Sequence, residues 1–125
     1  MSRAVHDLVG AWRLERWSLE YEDGRPAEFP LGPDARGMLL YTAGGQVSAT
    51  LMKASDPAAS LAYAGRYDVR DGAVYHSIEI ATDPTLVGKT TTRHIAREGD
   101  VLTLSGPDFH AGTGRRQTIV WRRLP

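Results

Sequence analysis

The 125-residue sequence contains no cysteine, which excludes disulfides and thiolate metal sites and says nothing about redox compartment. It has no excess of charge: fifteen Lys and Arg balance fifteen Asp and Glu, so no global field draws the chain to nucleic acid or to an anionic membrane. No apolar run is long enough to cross a bilayer. Met1 to Asp7 lacks the apolar segment of a signal peptide, and a cytoplasmic location is expected. The four histidines have no metal-ligand spacing, neither H-x-H nor H-E-x-x-H, so no metal and no cofactor are expected. There is no Gly-x-Ser-x-Gly elbow to activate a serine, and no Gly-rich loop leads into a helix to cradle phosphate. Internal repeats and low-complexity segments are missing as well. One domain over residues 1–125 is expected, large enough to bury a core.

What the chain does have is glycine, proline and short alternating runs, the pattern of an all-β domain. The most informative stretch runs from Tyr63 to Ala81. Two alternating segments flank Asp71-Gly72, and Asp-Gly suits a type I′ turn because both central residues need positive φ. If Arg70 pairs with Ala73, then Val69 faces Val74, Tyr67 faces His76, Gly65 faces Ile78 and Tyr63 faces Ile80, all on one side. One histidine therefore lies on an apolar face, directly across from a tyrosine. The opposite face carries Ala64, Arg66, Asp68, Tyr75, Ser77 and Glu79 and is expected to be solvated.

The other segments fall into the same scheme. Ser2 can cap a short N-terminal helix ended by Gly10. Ala11 to Tyr21 reads as a long strand with a change of phase, since Trp12 and Leu14 lie on one face and Trp17, Leu19 and Tyr21 on the other. Two versions remain open. Either a bulge near Glu15 and Arg16 resets the alternation, or Arg16, Ser18 and Glu20 continue the interior face. The second version leaves Trp17, Leu19 and Tyr21 as an exposed aromatic patch suited to a homodimer contact. Arg36–Thr42 and Gln46–Met52 form a hairpin around Ala43-Gly44-Gly45, with Gly37, Leu39, Tyr41, Val47, Ala49 and Leu51 expected inside. Asp56-Pro57 reads as a cap and first turn of a short lid helix reaching about Leu61. Lys89–Arg97 and Asp100–Ser105 form a third hairpin around Glu98-Gly99, in which Ile95 meets Leu102 and Arg93 meets Leu104. Residues 106–114 form a loop containing Phe109 and His110, and Arg116–Arg123 is a last strand with Ile119 and Trp121 on one face. Eight sequential strands closing on themselves remove the edge problem, and an eight-stranded interior is filled by side chains or holds one small ligand.

Several stretches carry a family resemblance. Leu8-Val-Gly-Ala-Trp-Arg-Leu contains the Gly-x-Trp start of the first lipocalin strand. Gly32 to Thr42, Gly45 to Met52, Tyr63 to Val69, Val87 to Arg93, Gly99 to Leu104 and the closing Val120-Trp-Arg-Arg resemble the small lipocalin-like domain proteins of bacteria and fungi. The resemblance implies an eight-stranded, antiparallel, up-and-down closed barrel with a central cavity for a small apolar or amphipathic molecule. It also implies that Arg122 or Arg123 stacks over Trp12 at the closed end. It implies no particular reaction, because similar barrels include plain binders, isomerases and cyclases.

Within such a barrel Leu39, Tyr41, Tyr63, Tyr67, His76, Ile78, Arg93 and Leu104 are the expected ligand-contacting residues, with Glu20 added in the unbulged version. His76 reads as a core histidine bonded to Tyr67 or as a general acid or base, since an imidazole titrates at about 6.5 unperturbed, and axial ligation of a haem is a third reading. An inward Arg93 needs a partner, which Glu20 or an anionic ligand group supplies, unless it reaches solvent at a barrel end. Two functions follow, beside a structural protein whose barrel is filled by its own side chains and holds no ligand. One is a binding protein whose polar residues anchor the ligand. The other is a cofactor-free isomerase or cyclase in which His76 moves protons while Tyr67 and Arg93 stabilise an enolate-like charge.

Overall fold

A computed structural model describes residues 7–107 and 114–125. Eight antiparallel strands close into one barrel in sequence order: β1 (Gly10–Tyr21), β2 (Arg36–Tyr41), β3 (Gln46–Lys53), β4 (Asp56–Arg70), β5 (Ala73–Ala81), β6 (Thr90–Glu98), β7 (Val101–Pro107) and β8 (Arg115–Arg123). β1 closes the ring by pairing with β2 through its first residues and with β8 along nearly its whole length. No helix among the described residues is long and apolar enough to cross a membrane. Most of the expected N-terminal helix, with His6, lies outside the described residues, as do Phe109 and His110; Asp7 and Leu8 are helical.

The phase change in β1 is a bulge. Pairing with β8 slips between Leu14 and Arg16, so Trp17 opposes Ile119 and Leu19 opposes Gln117. Both apolar residues are buried, and Glu15 turns outward to meet Arg122 at 2.5 Å. Glu20 consequently shares its side of the strand with Ser18, whose hydroxyl donates to it at 3.2 Å. The bulge also removes the aromatic patch on which a dimer contact was expected. Trp17 and Leu19 are interior, and Tyr21 is half-buried beneath the Arg25 guanidinium at 4.2 Å.

The β2–β3 hairpin follows the alternation, with Leu39, Tyr41, Val47, Ala49 and Leu51 buried and Met38 and Leu40 exposed. The lid helix is absent. Residues 56–61 continue β4, where Leu61 pairs with Leu51 and Ser60 with Met52. One helical turn fixes several dihedrals for a single hydrogen bond. Pairing with β3 instead gives Asp56 and the residues from Ser60 onward cross-strand partners while Leu61 and Tyr63 turn inward. The cap-like bond survives locally, with Asp56 Oδ1 accepting from the Ala58 amide at 3.3 Å. Exposed Pro57 sits where the pairing shifts, a place where its missing N–H is tolerated.

In the β4–β5 hairpin Asp71 and Gly72 take φ of 53° and 76°, and the pairs Arg70–Ala73, Val69–Val74, Tyr67–His76 and Gly65–Ile78 form as the turn dictates. Beyond Gly65 the register slips by one, so Tyr63 opposes Ala81 and Ala64 opposes Ile80. Ile80, expected inside, is therefore 66% exposed. Gly65 makes the slip possible, because a Cβ there would lie 1.9 Å from the Ser77 carbonyl oxygen.

The β6–β7 turn is Gly99-Asp100, one residue later than the sequence suggests, with Gly99 supplying a φ of 60°. Moving the turn by one changes the pairing by two, so Ile95 opposes Leu104 and Arg97 opposes Leu102. A two-residue change leaves every side chain on its expected face. The end where β1 starts and β8 finishes is plugged by Leu8 and Trp12, both almost fully buried. Trp12 Nε1 donates to the Leu8 carbonyl at 2.9 Å. Arg123 stacks over its indole at 4.3 Å and donates to the Val9 and Asp7 carbonyls at 3.0 and 2.6 Å. Arg97 approaches the same ring at 5.1 Å and donates to Asp7 O at 2.7 Å, so two cations serve backbone acceptors beside one aromatic face.

Candidate functional site

Alternation along consecutive strands sends one set of side chains to the barrel axis, and those sets do not fill it. They leave a space of about 20 Å³. Most of its wall is apolar: Leu39, Ala49, Leu51 and Leu61 from β2–β4, and Trp17, Leu104, Ile119 and Trp121 from the other side. Three polar residues, Tyr63, His76 and Arg93, interrupt this wall. The cavity is narrow and has width for about one water in this closed form.

His76 is 2% exposed and both ring nitrogens have partners. Nε2 lies 2.6 Å from the Tyr41 hydroxyl and Nδ1 lies 2.7 Å from the Tyr63 hydroxyl. Burial, reinforced by the nearby Arg93 cation, pulls the imidazole down from 6.5 to about 3, so the ring is neutral at physiological pH. Burial likewise pushes the Tyr63 phenol up to about 12 and the Tyr41 phenol well above its usual range, with Arg93 partly opposing both. The cluster is a chain of neutral groups. Its backbone support is ordinary sheet geometry: Tyr67 and His76 are cross-strand partners, and Tyr63 lies four residues from Tyr67 on the same face of β4.

Tyr67 itself does not bond to His76. Its hydroxyl donates to the Thr42 carbonyl at 2.8 Å while its ring packs tilted against Tyr41 at 4.6 Å. Burial raises its pKa too. Arg93 is buried on β6, donates from Nη1 to Thr92 O at 2.8 Å, and lies alongside Gly106. A Cβ at position 106 would meet Thr92 O at 2.7 Å and Arg93 Nη1 at 3.3 Å, so glycine leaves the guanidinium its room.

Of the expected site residues, the structure brings Leu39, Tyr63, His76, Arg93 and Leu104 together on the cavity wall. Tyr41 joins them through His76, and Tyr67 packs behind Tyr41. Ile78 is buried without lining the cavity, and Glu20 is outside the lining set. Trp17, Leu61, Ile119 and Trp121 complete the wall. Ile119 and Trp121 share an alternating face that marks them as interior; Trp17 becomes interior only with the bulge, and Leu61 only with the strand in place of the lid helix.

A closed eight-stranded antiparallel barrel belongs to the class whose interior is either filled by side chains or holds one small ligand. The family model of the lipocalin-like domain matches residues 9–60 and 53–124, and the chain belongs to the lipocalin-like domain family. A lipocalin-like protein of Bacteroides uniformis ATCC 8492 shares the fold with a TM-score of 0.57 at 16% identity, over 94% of this chain and 99% of that one. A protein of Bacteroides eggerthii DSM 20697 does so with a TM-score of 0.56 at 15% identity, over 94% and 100%. Likeness at these identities is one of fold. The 4′-hydroxy-3′-methoxypropiophenone carrier protein of Aspergillus oryzae (strain ATCC 42149 / RIB 40) is 36% identical over 75 residues, covering 52% of this chain and 68% of that protein.

Proposed function

We propose that the protein is a binder, holding one small aromatic molecule with oxygen substituents in the barrel. The observation that carries this reading is an apolar cavity interrupted by a few convergent polar groups. At about 20 Å³ in this closed form the cavity is far below the range of about 300–1,000 Å³ found for small-molecule sites, so a single substituted ring fits only once the wall opens. The carrier protein of Aspergillus oryzae supports the same chemical class, since the compound in its name is a hydroxylated, methoxylated phenyl ketone. Because the closed cavity is narrow, entry requires the side chains around it to swing aside.

Acid–base turnover by His76 has less support. A base whose conjugate acid titrates at about 3 is far from the operating pH at which general acid–base catalysis works best. Calorimetric titration with 4′-hydroxy-3′-methoxypropiophenone tests the proposal. Saturable one-to-one binding is expected, lost in Ala49→Phe, which fills the cavity, while thermal melting shows that this variant still folds. Absence of saturable binding, or unchanged binding to folded Ala49→Phe, refutes the reading.

A further inference from the structure

We propose that the Tyr41–His76–Tyr63 chain holds its hydrogens in one direction, making the Tyr63 hydroxyl a fixed donor toward the cavity, so that the site selects a ketone carbonyl over the corresponding alcohol. The ligand half of this proposal rests on the binding function argued above. A neutral imidazole carries one N–H, and the chain therefore has two possible directions. In one, Nε2–H donates to Tyr41 and Tyr63 donates to Nδ1. Tyr41 then needs another acceptor for its own hydrogen. It is 2% exposed, and among the described residues its hydroxyl has no partner other than His76. A stranded buried hydroxyl disfavours that direction by roughly ten- to a hundredfold.

In the other direction Tyr41 donates to Nε2, and Nδ1–H donates to Tyr63. Nothing is stranded at the Tyr41 end. Tyr63 lines the cavity, and its hydrogen is released to whatever occupies the space. The low basicity of His76 keeps the ring in this neutral, directional state.

The rest of the polar wall offers the same sense. Trp121 lines the cavity, and its indole N–H is buried without a hydrogen-bond partner. Arg93 is a guanidinium, which has donors and no acceptor. Among the described lining residues the one side-chain acceptor nitrogen, Nε2 of His76, is occupied by Tyr41. A carbonyl oxygen can accept from Tyr63 and brings no hydrogen of its own that needs an acceptor. An alcohol oxygen can accept too, but its own hydrogen then lacks an acceptor in the cavity. Outside the lining, Thr91 on β6, opposite His76 in register, has a buried hydroxyl with no partner.

Two measurements on the intact protein decide this. The first is ¹⁵N NMR of the His76 ring without ligand. Protonated Nδ1 and bare Nε2 are expected, and the reverse tautomer overturns the proposal. The second compares propiophenone with 1-phenylpropan-1-ol by calorimetry. Propiophenone is expected to bind about tenfold or more tightly, a preference that Tyr63→Phe reduces to about threefold or less. Equal affinities in the wild type overturn the proposal. So does a Thr91→Val variant that weakens the alcohol alone, since the alcohol hydrogen would then have an acceptor. If neither compound binds, the proposed function fails, while the tautomer measured without ligand still upholds or overturns the direction of the chain.

Discussion

Acidification should weaken this fold through His76, and the amount follows from its burial. In the folded chain the imidazole titrates near 3, against 6.5 for an exposed histidine. The folded value is the lower one, so the unfolded chain takes up the proton first. The contribution is therefore complete above about pH 6.5 and is lost as the pH falls toward 3. Within that window the loss is about 1.4 kcal/mol per pH unit, or about 3 kcal/mol by pH 4. That is a large part of the roughly 5–15 kcal/mol that stabilises an ordinary domain. Carboxylates also titrate in this range, so the informative quantity is the difference between the wild type and His76→Gln. Glutamine keeps a donor and an acceptor for the two tyrosines and does not titrate. Urea unfolding at pH 7, 6, 5 and 4 should show the wild type falling more steeply, by about 1 kcal/mol per pH unit below 6. Parallel pH profiles would refute the reasoning, because they would mean that folded His76 accepts a proton as readily as the unfolded chain.

Two further predictions concern the frame around the site. Gly65→Ala places a Cβ 1.9 Å from a backbone oxygen that cannot step aside, and should destabilise the protein by on the order of 3 kcal/mol, read as a lower urea midpoint. An unchanged midpoint would show that the β4–β5 bulge does not depend on close backbone approach. Arg123→Met removes the cation over Trp12 and the donors to Val9 and Asp7, and should cost about 1–3 kcal/mol in the same assay. Arg122→Met removes an exposed ion pair with Glu15 and should cost less than about 1 kcal/mol; a reversed order would contradict the assignment of the stacking role to Arg123.

Local pattern alone says which residues face inward over most of the barrel. Period-two alternation and the Asp71-Gly72 turn act over a few residues, so they are legible without neighbours. The β4–β5 pairs from Arg70–Ala73 to Gly65–Ile78 follow from that turn alone. The inward positions of His76, Arg93, Leu39 and Leu104 follow from alternation. The Gly-x-Trp segment and the C-terminal arginines carried the family resemblance and, with it, the stacked end.

Tertiary structure decided everything that depends on where strands stand along the barrel axis. The bulge in β1 put Trp17 on the cavity wall and Glu20 on the other face; both phases were compatible with the sequence. The shift at Gly65 turned Ile80 out. The two-residue change in the β6–β7 pairing kept Arg93 inward but displaced it along its neighbour by about 7 Å, from Leu104 to Gly106. Pairing with β3 turned the expected lid helix into strand and brought Leu61 inside.

The partners of His76 show the same division. Its cross-strand neighbour Tyr67 was visible from the hairpin, yet the ring bonds to Tyr63 further down β4 and to Tyr41 on a strand it does not pair with. Side-chain reach across a closed barrel depends on the curvature and stagger of all eight strands together. No local pattern encodes that distance.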